Sequence, residues 1–312
     1  MHKISGTFCA ALTPVNADYS INKKLFLNHC NNLLNDGLTG LGIFGTTGEA
    51  NSFSVQEKID AISYLIDNQI KSDQLIIGTG LCSIKDSVLI TKYAAKIKAK
   101  AVLVLPAFYY KNVSNEGVID FYSKIVEEVS DNNLQYILYH FPALSGISLN
   151  FKIIEKLINI FPNNVVGMKD SSGDINNMLK TIKLFENFSV FSGSDSLAVK
   201  VCMHGGAGAI TAASNISGKL LSFLVNNYKN KNEIKNFEIF QELQDQIREI
   251  ITSAELISIL KGFLSIEKQD NNWNRLIPPL RSIKKPENNK SIIALTECVK
   301  KMNNLFLNFK GN

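Results

Sequence analysis

VVGMKDSSGD, residues 165–174, runs directly into INNMLKTIKLF, residues 175–185, and the reading of this stretch decides the fold. An apolar run, Val165–Met168, ends on Lys169, polar turn residues follow, and beyond Asp174 apolar residues return at helical spacing. The segment reads as strand, turn and helix, the unit from which parallel sheets covered by helices are built.

Working outward, the same unit recurs along the chain. Apolar runs at Gly6–Leu12, Gly40–Phe44, Leu75–Gly78, Ala101–Leu105, Gln135–Tyr139, Val165–Lys169, Val190–Gly193 and Gly208–Ala212 predict eight strands. Amphipathic stretches at Ile21–Leu34, Ser54–Asn68, Ser83–Lys98, Asn115–Val129, Ser148–Ile160, Asp174–Phe185 and Asp195–Met203 fill the intervals as crossover helices. Eight such units, with no G-x-G-x-x-G after the first run, favour an α/β fold of the TIM (β/α)8 barrel type over an open doubly wound sheet. Ser217–Lys229 reads as the eighth barrel helix. Glu233–Ser265 and Ile292–Phe306 read as a C-terminal helical extension, a cap of three helices in all on the barrel's flank, available for subunit contacts. The expected division is residues 1–230 for the barrel with its last helix and 231–312 for the extension.

Length alone is ambiguous, because 312 residues suit either two domains of about 150 or one large barrel. A chain that is 45% hydrophobic and 20% charged buries a real core, which excludes a disordered, collagenous or membrane-bundle class. The 33 basic and 28 acidic residues leave +5, spread along the sequence, so neither a nucleic-acid nor a membrane partner is expected. Cys9, Cys30, Cys82, Cys202 and Cys298 stand far apart with no CxxC pair, suggesting neither a disulfide scaffold nor a zinc site. Met1–Val15 reads as a first strand rather than a signal peptide, and a cytoplasmic location is expected.

In a barrel of this type the chemistry collects at the C-terminal ends of the strands. Three segments end there: residues 42–50 (GIFGTTGEA), 138–146 (LYHFPALSG) and 165–174. Lys169 closes an apolar strand, where desolvation penalises the ammonium form and frees an amine to attack a carbonyl carbon. The same position also suits a lysine that reaches solvent or pairs with Asp170. Tyr139 ends the preceding strand and can relay protons beside Lys169, or simply pack at the barrel mouth. Gly45-Thr46-Thr47-Gly48 offers hydroxyls and backbone donors for a small carboxylate, or forms a plain turn, with Glu49 as an anchor for the loop. Strand alternation turns Asp170 and His140 away from this centre.

GTTGE at 45–49, Tyr139-His-Phe-Pro142 and Gly167-Met-Lys169-Asp-Ser-Ser-Gly173-Asp174 together resemble the dihydrodipicolinate synthase and N-acetylneuraminate lyase family of pyruvate-dependent class I aldolases. The resemblance implies that Lys169 forms an imine with pyruvate, Tyr139 is the catalytic phenol, and Thr46 and Thr47 hold the pyruvate carboxylate, Thr47 also orienting Tyr139. It implies no metal and no cofactor beyond the covalent lysine–pyruvate imine. It further implies a homodimer or homotetramer in which a tyrosine crosses a subunit interface, here Tyr110.

Substrate choice departs from the best-known members. The arginine that lysine-pathway synthases carry after their Tyr-Asn-x-Pro motif is Leu144 here, which weakens an aspartate-semialdehyde assignment. The Gly-x-Asp-Glu pattern of sialic-acid lyases is reduced to Gly193-Ser-Asp195-Ser196, and their sugar-binding serine falls at Ala212. Asp195 and Ser196 remain hydroxyl ligands in this reading, with Leu144 and Ile210 completing the substrate-binding set. The expected activity is reversible cleavage of a 4-hydroxy-2-oxo acid or 2-oxo-3-deoxy sugar acid to pyruvate and an aldehyde. The lysine-pathway synthase, intact-sialic-acid lyase and a non-enzymatic barrel are the alternatives.

Overall fold

The computed structural model describes residues 3–310, so Met1, His2, Gly311 and Asn312, at the outer ends of the two expected units, lie outside the described residues. The chain runs β1 (Gly6–Ala10), α1 (Lys23–Asn35), β2 (Gly40–Ile43), α2 (Val55–Asp67), β3 (Leu75–Gly78), α3 (Ile84–Lys96), β4 (Ala101–Val104) and α4 (Asn115–Val129). It continues through β5 (Tyr136–His140), a one-turn α5 (Pro142–Ser145), α6 (Phe151–Ile160), β6 (Val165–Asp170), α7 (Ile175–Leu184), β7 (Ser189–Ser192), α8 (Ala198–Met203), β8 (Gly208–Thr211) and α9 (Ser214–Asn227). Three further helices follow, α10 (Phe237–Thr252), α11 (Leu256–Glu267) and α12 (Lys290–Lys310).

All eight expected runs are strands, each hydrogen-bonded in parallel to its neighbours, and β1 pairs with β8 to close the barrel. Helix starts follow local chemistry. Ser54 caps α2 reciprocally with Glu57, while Ser83, Ser114, Asn150 and Asp174 each accept a backbone N–H at the head of the next helix. The cap at Asn150 explains why α6 starts later than the predicted Ser148.

The barrel interior is filled by Phe8, Ile76, Leu103, Ile137, Phe191 and Ile210, with Phe8 and Phe191 meeting edge to face at 5.9 Å. Outside it, Leu41, Ile43, Leu75, Ile77, Val102 and Leu138 point the other way and meet the helices. Each such buried side chain contributes about 1.5–3 kcal/mol, which explains why the strands read as continuous apolar runs.

Glu233–Ser265 is divided into α10 and α11, which with α12 make up the three helices of the extension. Thr252 Oγ1 donates to the Arg248 carbonyl at 2.8 Å and Ser253 Oγ to that of Ile250, also at 2.8 Å, so hydroxyls compete for the backbone where α10 gives way to α11. The extension also does more than cover the flank. Its Phe240, Ile247, Leu260, Phe263, Trp273 and Leu295 share a core with α9 and with Leu12, just beyond β1, and this docking carries α10 and the start of α11 to the barrel mouth.

Candidate active site

The C-terminal ends of β2, β5, β6 and β8 open into a cavity of about 380 Å³ whose lining includes Thr46, Thr47, Tyr139, Lys169 and Ile210. Lys169 and Tyr139 are Cα partners in the β5–β6 ladder. Their side chains leave the same face, and Lys169 Nζ donates to Tyr139 Oη at 3.3 Å. The lysine is only 4% exposed, so its amine faces the cavity and not bulk water.

Alternation sends the next residue on each strand outward. Asp170 accepts hydrogen bonds from the Ser172 amide at 2.8 Å and hydroxyl at 2.6 Å, and from Asn177 Nδ2 at 2.7 Å, tying β6 to α7. His140 accepts from the Leu149 amide at 3.1 Å. Burial holds this imidazole below its ordinary pKa, opposed by the carboxylate of Asp170.

The Gly45–Gly48 loop is bracketed by two non-glycine residues in the left-handed region, Phe44 and Glu49, each with φ of 54°. Such residues cost on the order of 1–3 kcal/mol each and persist where their surroundings overdetermine them. Phe44 is wedged between the rings of Phe26 and Phe53, at 5.9 and 6.4 Å. Gly78 is required beside it, because a Cβ there would lie 2.0 Å from the Phe44 carbonyl oxygen. Glu49 is buried, accepts from the Ile277 amide at 3.1 Å and is paired with the ammonium group of Lys261. Lys261 also donates to the Arg275 carbonyl at 3.0 Å, and burial pushes its pKa down against the opposing pull of Glu49. The anchor expected at Glu49 therefore has its partner in the C-terminal extension.

The hydroxyl beside the phenol belongs to Thr46, with Oγ1 3.5 Å from Tyr139 Oη, and not to Thr47 as the resemblance implies. The two threonines are consecutive in a tight turn, and both line the cavity. Leu144, on α5, stands at the mouth and is 55% exposed. Asp195 and Ser196 do not line the cavity. Asp195 is buried behind it, because the turn Asp195–Leu197 packs beneath α10 and directs the carboxylate at Arg248, whose Nη1 lies 3.7 Å away. Tyr110 lies outside this chain's cavity, on the loop after β4, 72% exposed and edge-on to Tyr109.

Sequence reasoning missed Arg248 and Lys261. Lys261 left a signal, being the lone charge inside the apolar run LISILKGF at 256–263. Arg248 left only a faint one, as the single basic residue among Glu238, Glu242, Asp245 and Glu249 on a stretch that reads as an ordinary solvated helix. Among the described residues no group of three or more His, Cys, Asp or Glu side chains is placed to hold a metal ion, and no helix is long and apolar enough to cross a membrane.

Residues 3–298 match the family described as the dihydrodipicolinate synthetase family. The 4-hydroxy-tetrahydrodipicolinate synthase of Methanococcoides burtonii is 28% identical over 299 residues, covering 95% of this chain and 98% of that protein. The enzyme of the same name from Bacillus subtilis is 31% identical over 242 residues, 77% of this chain and 82% of its own. Among solved structures, N-acetylneuraminate lyase from Fusobacterium nucleatum superposes with a TM-score of 0.83 at 26% identity, over 96% of this chain and 99% of that one.

Proposed function

The chain belongs to the dihydrodipicolinate synthetase family, pyruvate-dependent lyases and aldolases, and from that premise we propose that it cleaves a 4-hydroxy-2-oxo acid reversibly through a Lys169 imine. The observation that carries this reading is the pairing of Lys169 with Tyr139 at the floor of a cavity edged by the Thr46–Thr47 turn.

The free amine of Lys169 adds to the C2 carbonyl, and loss of water from the carbinolamine gives a protonated imine. Tyr139 Oη, in contact with both Nζ and Thr46 Oγ1, moves the protons that this addition and dehydration require. Tyr139 Oη, having given its proton to the departing water, accepts that of the C4 hydroxyl as the C3–C4 bond breaks. The electron pair flows to the iminium nitrogen, and the aldehyde departs. Protonation of the resulting enamine at C3, followed by hydrolysis, returns pyruvate and the lysine amine. In reverse the enamine adds to an aldehyde. Thr46 and Thr47 hold the carboxylate next to C2. The electron sink is the iminium itself, so the sequence calls for no metal.

The same reading includes a cytoplasmic enzyme working as a homodimer or homotetramer, with Tyr110 reaching a neighbouring subunit and residue 230 dividing barrel from extension. The exposed Tyr109–Tyr110 pair supports that role for the loop after β4.

The test is incubation with pyruvate, reduction with borohydride and mapping of the adduct by peptide mass. An adduct on Lys169 is expected, and a fully folded protein that forms none would refute the mechanism. A panel of 4-hydroxy-2-oxo acids, 2-oxo-3-deoxy sugar acids, N-acetylneuraminate and aspartate semialdehyde then separates the lyase reading from the synthase reading.

A further inference from the structure

The cavity holds a second cation besides Lys169. Arg248, on α10, lines it with a side chain 26% exposed, and among the described residues that side chain makes no hydrogen bond. Its one close charged contact is the single approach of Nη1 to the fully buried Asp195 at 3.7 Å. Neither oxygen of Asp195 has a hydrogen bond of normal length; the guanidinium and the hydroxyl of Thr211 are what face it. A buried carboxylate thus fixes the guanidinium from behind and leaves its forked donors for a ligand in front.

We propose that Arg248 is the specificity-determining residue of this enzyme, receiving a carboxylate at the end of the substrate remote from the imine carbon. The preferred substrate is then a 4-hydroxy-2-oxo dicarboxylic acid, cleaved to pyruvate and an aldehydic acid. Three features select this class. A planar guanidinium matches a carboxylate with two parallel N–H···O bonds. Apart from Ser171 and the threonine turn, the lining is largely apolar, with Leu144, Ile210, Ala212, Ile257 and Leu280, and suits a short aliphatic chain better than one bearing many hydroxyls. Asp195 already neutralises one charge of the site, and Glu255 stands at the rim, so a monoanion is favoured over a dianionic phosphate.

This proposal rests on the Lys169 imine, and its test separates the two. Addition of pyruvate to matched aldehydes is followed for butanal against succinic semialdehyde and for glyceraldehyde against glyceraldehyde 3-phosphate. The wild type is expected to favour succinic semialdehyde over butanal by about 10- to 100-fold in kcat/KM. In Arg248→Met that ratio falls towards one, while Arg248→Lys keeps part of it. If Arg248→Met does not fold because Asp195 loses its counter-charge, Asp195→Asn with Arg248→Met supplies the same readout. Borohydride trapping is run alongside. An adduct on Lys169 with no preference for succinic semialdehyde, a preference that survives loss of the guanidinium, or a stronger preference for the phosphate each overturns the assignment to Arg248. Absence of the adduct overturns the imine reading instead.

Discussion

Tyr139 and Lys169 are register partners on adjacent strands, and this places Lys169 Nζ 4.3 Å from the centroid of the Tyr139 ring as well as within reach of its hydroxyl. The contact is set by the barrel rather than by a loop, so removing either functional group leaves the other in place. Tyr139→Phe is expected to lower kcat by about 10²–10⁴, the usual worth of a positioned proton-transfer group. Lys169→Met abolishes both turnover and pyruvate trapping. Steady-state kinetics beside borohydride labelling checks both.

Thr46 and Thr47 are expected to separate in their kinetics. Thr47→Val removes a hydroxyl from the cavity without touching the phenol, so the KM for pyruvate rises by about 10- to 100-fold, the loss of a hydrogen bond to a charged group. Thr46→Val also removes the contact with Tyr139 Oη. Its kcat falls as well, and its pH–rate profile shifts. Equal losses of kcat and KM in both variants would contradict this division.

The buried Glu49–Lys261 pair is strongly asymmetric in its response to mutation. Removing one partner strands a charge in the interior, and Lys261→Met is expected to cost about 3–5 kcal/mol of stability. Glu49→Gln together with Lys261→Met recovers much of that loss. Denaturation midpoints of the two single variants and the double variant measure the coupling.

His29 supplies a pH dependence. It is buried against Trp273, donates from Nε2 to Asn215 Oδ1 at 2.8 Å, and lies near Lys268. Burial brings its pKa down to about 4, despite the opposing effect of the Asn215 hydrogen bond. The unfolded chain therefore binds a proton that the folded chain refuses, and stability is complete above the ordinary imidazole pKa and falls as pH drops from there towards 4. The loss over that window is roughly 3 kcal/mol. In His29→Gln this part of the slope disappears, as urea titrations at several pH values will show. His140, held down in the same direction, adds to the slope that remains.

The barrel was legible because strands buried on both faces leave unbroken apolar runs, as Val165–Met168 does ahead of Lys169. Lys169, Tyr139 and the Thr46–Thr47 turn were legible because they sit where those runs stop. The break between Thr252 and Leu256 was hidden because apolar spacing continues across it, whereas the hydroxyls of Thr252 and Ser253 decide the backbone. Arg248 and Asp195 could not be paired from sequence, since their meeting depends on how α10 crosses the turn after β7. Position along a strand is a local property; the angle at which an added helix lies over a barrel is not.

The clamp between Glu49 and Lys261 joins positions 212 residues apart. During synthesis the strands have all been made once β8 leaves the ribosome, but the loop carrying Thr46 and Thr47 is held only at its Phe44 end until α11 supplies the partner of Glu49. Cleavage between α9 and α10, with loss of the downstream piece, would free Glu49 and at the same time bare the core shared with α9 and Leu12, so the turn that holds the substrate and the barrel's own support are lost together.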